Sequence, residues 1–347
     1  MGLGVARRSK LRFHPGLADN GCIPSEINTN QMAISHYIKE IGRGKDGARS
    51  LSRAQAADLF GQVLDGSVTD LEVGGFCLAM RIKGETADEM AGFLDAVYDA
   101  SAPTPRLARV PVQGQAPAVV LPTYNGARKL PVLTPLLAML LARQGCPVLL
   151  HGTATESTRV FTATVLAALD IPAHSAVTPL TPASVAFYPT EVLSPGLKRL
   201  LDVRRAVGLR NPAHSLVKLM NPCQSQAIVV GSYTHPEYAV SMAAVFTLMQ
   251  SHAMLLRGTE GEPVADARRT PQMLVFLGGL QQQLQEAQAG SLASLPDLPA
   301  GTGALPTAHY IRQVLGGQLP VPAPIATQVE RILLLSQQIQ EQSSQPA

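Results

Sequence analysis

The chain reads as an α/β protein in two parts: a small helical domain, then a larger α/β domain with a mainly parallel sheet. Three observations predict this. Ser/Thr-x-x-Glu/Gln caps follow one another at Ser52–Gln55, Thr69–Glu72 and Thr86–Glu89. Beyond Ala118, five short apolar runs alternate with longer helical patterns. Between the two rhythms, Pro103, Pro105, Pro111 and Pro117 mark a hinge-like connection. A chain of 347 residues is ample for one large core or two domains, and 46% hydrophobic content excludes a disordered chain.

Residues 1–31 hold Arg7, Arg8, Lys10 and Arg12 against two acidic residues and show no periodicity. They read as a disordered basic extension without the apolar segment of a secretory signal. Residues 32–104 form the helical domain. One helix follows Ser52, with Leu59, Phe60, Val63 and Leu64 on one face and Gly66 as its stop. The next carries Phe76, Ala79 and Ile82 at helical spacing, and the third turns Met90, Phe93, Leu94 and Val97 inward. Such apolar faces call for burial against a second domain or a partner.

Residues 105–335 form the α/β domain, with strands expected at Ala118–Leu121, Pro147–His151, Ala227–Gly231, Met254–Arg257 and Met273–Leu277. Ligands of such sheets bind beyond the carboxyl ends of the strands, which directs attention to Thr123–Lys129, Gly152–Arg159, Ser232–Glu237 and Gly258–Arg269. Gln281–Gln285 reads as surface helix or loop, and residues 336–347 as a polar C-terminal tail.

Several function classes are excluded. The longest apolar run, Leu130–Ala142, is short of the roughly 18 residues a membrane span needs, so no membrane is expected. Four scattered cysteines form no Cys-x-x-Cys pair, and the eight histidines lack metal-ligand spacing. A reduced, cytoplasmic setting follows as the expectation. No serine sits in a nucleophile elbow. His151 reads as a polar strand-end residue beside Gly152 rather than a catalyst. The net charge of +3 hides a nearly neutral body, so any polyanion site must rest on clustering.

Residues 51–90, "LSRAQAADLFGQVLDGSVTDLEVGGFCLAMRIKGETADEM", resemble the helical domain of the anthranilate phosphoribosyltransferase family. The likeness continues through "LDVRRAVGLRNPAHSLVKLMNP" (201–222) and "LLRGTEGE" (255–262), and spans most of the chain from Met32 to about Leu335. The resemblance implies the nucleoside phosphorylase/phosphoribosyltransferase class III-like fold. It also implies a helical domain completed by a segment near 175–205, and a homodimer formed through that domain.

The family's pyrophosphate loop corresponds to Pro122, Thr123, Tyr124, Asn125 and Gly126. Two close-approach glycines have become Pro122, which has no N–H, and Tyr124, which adds bulk. The family's lysine before His-Gly is Leu150, and its metal-holding Asp-Glu is Pro263-Val264. A transferase needs those groups to stabilise departing pyrophosphate, so catalysis is not expected and no cofactor or metal is assigned. Asn125, Glu260 and Glu262 are the residues left from which a metal site could be rebuilt.

In place of the lost groups stand cations: Arg128 and Lys129 on the loop, then Arg159, Arg257, Arg268 and Arg269, with Arg210 matching the family's anthranilate-contacting arginine and Lys218 one helix further on. Lys39, Arg43 and Lys45 make a secondary basic cluster, for which a favourable helix C-terminus is the competing explanation. Arg204 and Arg205 belong to a shared segment and read as structural. The motif set is similar to the YbiB-like branch of the family, which implies DNA and/or RNA as partner. Spaced cations that each neutralise one phosphate suit that role, and few aromatics predict little sequence preference. The alternative is a phosphoribosyltransferase acting on an unidentified acceptor.

Overall fold

The computed structural model describes residues 34–44, 46–290, 292 and 294–344, so the extension at 1–31 and Lys45 lie outside the described residues. The helical part comprises α1 (Ser35–Ile41), α2 (Arg53–Asp65), α3 (Asp70–Lys83) and α4 (Ala87–Tyr98). Ser52, Thr69 and Thr86 each accept the N–H of Gln55, Glu72 and Glu89, whose side chains accept the cap N–H in return. Each box satisfies two N–H groups that a helix start leaves orphaned, and losing one such cap residue costs about 1 kcal/mol. Glu89 does more: its buried carboxylate also accepts the Leu51 N–H at 2.8 Å and pairs with Lys83 at 2.6 Å. The Phe60 and Phe93 rings stack at 4.6 Å, with Phe76 edge-on to Phe93 at 6.0 Å, and together they centre this core. Ile82, expected inward, is 65% exposed. Six residues after Phe76 it lies about 240° further round the helix, away from the core.

The proline-rich connection is not a free hinge. Arg106 pairs with Asp65 at 2.6 Å, Ala108 N–H donates to Leu193 O, and Val110 N–H donates to Pro222 O. It leads into a seven-stranded sheet: β1 (Ala118–Thr123), β2 (Val148–Gly152), β3 (Val185–Pro189), β4 (Ala227–Tyr233), β5 (His252–Arg257), β6 (Met273–Leu277) and β7 (Leu280–Gln285). The order is β3-β2-β1-β4-β5-β6-β7, with β1 to β5 parallel and β6 and β7 antiparallel. Gln281–Gln285 is thus an edge strand rather than a helix or loop. Its polar, largely exposed side chains need no apolar alternation, and the Gly278-Gly279 pair with φ of +58° and +82° turns the hairpin.

The remaining helices are α5 (Thr134–Arg143), α6 (Thr162–Ala168), α7 (Thr190–Leu193), α8 (Pro195–Val207), α9 (Ala213–Leu216), α10 (Pro236–Leu248), α11 (Ala304–Leu315) and α12 (Ala323–Ser344). Residues 336–344, expected as a polar tail, continue α12. Ile332, Leu335 and Ile339 at helical spacing hold that helix against the core through its glutamine-rich end. From α8, Arg199 reaches back to Leu64 O at 2.7 Å and so ties this helix to α2.

Alternation along the strands sorts the core into two layers. Val120, Leu149, Val229 and Leu255 join the helical part in one continuous apolar cluster. Val119, Leu121, Leu150, Ile228 and Leu256 pack in a second cluster with residues of α5, α6, α11 and α12. The chain's order across the sheet reverses between β1 and β4, where α/β sheets open a crevice. Their ladder covers only Ala118–Val120 against Ala227–Val229. Pro122, which has no N–H to donate, lies within β1 beyond that ladder, so the two strands part there.

Candidate functional site

Two loops meet at the mouth of the crevice, residues 124–129 after β1 and residues 258–262 after β5. Glu262 is buried, and its Oε1 accepts the N–H groups of Asn125 and Gly126, both at 2.8 Å. Its Oε2 accepts the hydroxyls of Thr134 and Thr162 at 3.3 and 3.2 Å. Glu260 repeats the arrangement further out, accepting Arg128 N–H at 2.6 Å and Lys129 N–H at 3.0 Å. The Asn125 amide donates to Glu260 O at 2.8 Å and closes the clamp.

Converging backbone N–H groups on a loop behind a strand are the geometry that receives phosphate. Here the chain's own carboxylates receive them. The fit is tight: Glu260 holds φ at +53°, a strained value for a side-chain-bearing residue, and a Cβ on Gly261 would come within 2.1 Å of the Asn125 amide. Burial pushes the Glu262 carboxyl above its ordinary pKa, opposed by the Gly126 and Asn125 N–H groups and the Lys218 charge. Asn125, Glu260 and Glu262, the residues left for a rebuilt metal site, are spent on one another and on the loop. Among the described residues no group of three or more His, Cys, Asp or Glu side chains is placed to hold a metal. The site does not fit phosphoribosyl pyrophosphate with magnesium, because its N–H cradle is already filled.

The loop's side chains also depart from expectation. Pro122 and Thr123 belong to β1 rather than to the loop. Tyr124 does not fill the phosphate space. Its ring turns into the core, where its hydroxyl meets His151 Nδ1 at 2.8 Å and Thr190 Oγ1 at 3.0 Å. Burial pushes His151 down to about 3, which keeps this network neutral.

The expected cations separate into three groups. Arg128, Lys129 and Arg257 are exposed, and among the described residues their side chains have no ion-pair partner. Arg159, Arg204 and Arg210 gather around Glu156, at 3.0, 2.8 and 3.9 Å. Burial works against the Glu156 charge, but hydrogen bonds from Arg204 and Arg159 outweigh it and hold the carboxyl below its ordinary pKa. Arg159 also donates to Asn125 O, so it braces the loop rather than offering a free charge. Lys218 is only 9% exposed and donates to Gly261 O at 2.9 Å. Burial pushes it down to about 8 despite nearby Glu262, which makes it a strut for the clamp and not a surface cation.

Arg268 and Arg269 are exposed but held by neighbours. Arg268 lies bidentate on Asp266 at 2.9 and 2.7 Å, and Arg269 donates to Gly290 O. In the secondary cluster, Arg43 pairs with Glu40 at 2.5 Å while Lys39 is exposed.

Beside the clamp lies a cavity of about 290 Å³ between the α3–α4 turn, the 210–219 segment and α10. Asn125, Arg210 and Lys218 reach it, together with Met80, Met90 and Met242. His214 lines it too. Its Nε2 is buried without a hydrogen-bond partner among the described residues, and burial pushes the ring down to about 4. Sequence reasoning misses the roles of Glu156 and His214. A Glu-Gly-Glu facing an N–H-rich loop is the available signal for the clamp, although by spacing alone it suggests a metal site.

Residues 35–101 match the helical bundle domain of the glycosyl transferase family. The chain is 38% identical over 303 residues to the uncharacterized protein YbiB of Escherichia coli (strain K12), covering 86% of this chain and 92% of that one. It is 26% identical over 275 residues to an anthranilate phosphoribosyltransferase of Nocardioides sp., covering 77% and 78%. Among solved structures, an anthranilate phosphoribosyltransferase from Thermus thermophilus superposes with a TM-score of 0.60 at 20% identity, covering 88% of this chain and 98% of that one. One from Saccharomyces cerevisiae, in complex with PRPP and Mg, gives 0.63 at 16%, covering 89% and 90%. At 38% identity over most of both chains, the chain belongs to the anthranilate phosphoribosyltransferase-like family that includes YbiB, and it shares the anthranilate phosphoribosyltransferase fold.

Proposed function

We propose that this protein is a non-catalytic, nucleic-acid-binding homodimer that contacts phosphates through basic loops with little sequence preference. One observation carries the reading: the loop's N–H groups are satisfied from within by Glu260 and Glu262, while the side chains of Arg128 and Lys129 stand exposed and, among the described residues, unpaired. A small pyrophosphate needs the N–H groups, whereas a polyanion needs only spaced cations outside. DNA and RNA both present such phosphates. Among the described residues the free thiols Cys77, Cys146 and Cys223 are all buried, which suits a reduced cytoplasmic setting. Among the described residues no helix is long and apolar enough to cross a membrane.

The test is a titration with a labelled single-stranded oligonucleotide at several salt concentrations. Replacing Arg128 and Lys129 by alanine lowers affinity and reduces the slope of log K against log salt by about 1.4, at about 0.7 per lost phosphate contact. A folded double variant that binds with unchanged affinity and slope refutes the assignment. The competing transferase reading has Arg210 in its favour, beside a cavity of acceptor size. Pyrophosphate release from phosphoribosyl pyrophosphate and magnesium would carry it.

Association through the helical part has its own support. Leu71, Leu78 and Ile82 form a stripe along one face of α3 and are 86%, 42% and 65% exposed. Replacing Leu71 and Ile82 together by aspartate converts a dimer to a monomer in sedimentation. A wild-type monomer at micromolar concentration refutes the dimer.

A further inference from the structure

The cavity beside the clamp has features that backbone binding does not use. One wall is apolar and deformable, built by Met80 and Met90 from the helical part with Met242 and Val245 from α10. Methionine adapts its shape and makes favourable sulfur contacts with aromatic rings. Polar groups line the rest: Ser232, Thr234 and the Asn125 amide, the carboxylates of Glu85 and Glu237, and His214, whose Nε2 has no partner among the described residues. At the same cavity stands Arg210, 44% exposed and only weakly held at 3.9 Å by Glu156, which already pairs with two closer arginines. The volume of about 290 Å³ is enough for a small ring system.

An apolar wall opposite hydrogen-bonding groups, with a cation beside them, is how proteins hold an unpaired base and its phosphate. We infer that this cavity receives one unpaired nucleobase of a bound single strand, with Arg210 on the adjoining phosphate. The inference rests on the nucleic-acid reading and sharpens it: the protein takes single strands, because a paired base is not free to enter. The exposed Arg128, Lys129 and Arg257 then carry the flanking phosphates.

The experiment compares two fluorescent oligomers of equal length and charge, an oligo-thymidylate and its abasic counterpart, on the full chain and on two cavity-filling variants, Ser241→Phe and Ala87→Phe. Ser241 and Ala87 both line the cavity. The wild type binds the base-bearing strand about tenfold tighter, since holding one base is worth about 1–3 kcal/mol. Both variants lose this preference and bind the abasic strand as the wild type does, which shows that they are folded and that the phosphate contacts are intact. Equal affinity of the wild type for the two oligomers overturns the inference and leaves the nucleic-acid reading standing. So does a base preference that survives in a variant with unchanged abasic binding. Failure of the wild type to bind either oligomer removes the parent reading itself.

Discussion

Two neighbouring regions of one crevice have opposite chemistry. In the clamp, each converging N–H group from Asn125 to Lys129 that faces the 258–262 loop meets a glutamate, and Lys218 props the far side. In the adjacent cavity a histidine nitrogen lacks a partner and an arginine is only weakly paired. The clamp's N–H groups are satisfied from inside, whereas the cavity still has unmet chemistry. The difference teaches that a chain's own carboxylates can satisfy N–H groups of the kind that receive an anion without disturbing the fold around them. Glu262 satisfies the N–H groups that an external anion would otherwise approach.

The sharpest way to break this contrast is Glu262→Ala. It leaves two buried N–H groups unsatisfied and strips buried Lys218 of its neighbouring negative charge. Removing one partner of such a buried charged arrangement costs about 3–5 kcal/mol. Thermal unfolding should show the loss. A variant within about 1 kcal/mol of the wild type, the ordinary effect of a point substitution, means the clamp is not what holds the loops.

Acid is the next largest perturbation. Below about pH 6.5 an unfolded chain protonates both His151 and His214, but burial keeps the folded rings neutral down to about 3 and about 4. The unfolded state therefore binds more protons, and stability falls as pH drops from about 6.5, by about 1.4 kcal/mol per pH unit for each ring. Denaturant titrations from neutral to mildly acidic pH measure the slope. His151→Gln should flatten part of it, and an identical slope in that variant excludes His151 as a contributor.

Tyr124→Phe comes third. It strips His151 Nδ1 of its hydroxyl partner in a fully buried setting and costs about 1–3 kcal/mol by chemical denaturation. No change would mean that the hydroxyl is not needed there. Smallest is the structural effect of Arg128 and Lys129 to alanine, which stays within about 0.5 kcal/mol because both side chains are exposed and unpaired. That near-silence in stability, set against a clear loss in nucleic-acid binding, separates the outward face of the loop from its inward one.

Much of this architecture is legible in the sequence, for local reasons. The caps at Ser52, Thr69 and Thr86 are written within four residues each, and five strands announce themselves as apolar runs because both faces of the sheet are buried. β7 is hidden because an edge strand of glutamines needs no apolar pattern, and β3 because the ends of VAFYP are only half-buried. The basic residues are legible as charges but not as roles. Arg159 and Lys218 differ from Arg128 only in what lies opposite them, and Arg268 has Asp266 two residues away.

By itself, then, the sequence determined the helical part, the alternation of strands and helices, and the presence of Pro122 and Tyr124 beside the β1 loop, since each rests on residues close together in the chain. Only the tertiary structure decided that Tyr124 turns into the core and that Glu260 and Glu262, more than 130 residues from the loop they fill, take the place of an anion. The physical reason is that a carboxylate meeting backbone N–H groups across a sheet leaves no trace in local spacing. The match depends on where β1 and β5 bring their loops, and the whole fold sets that.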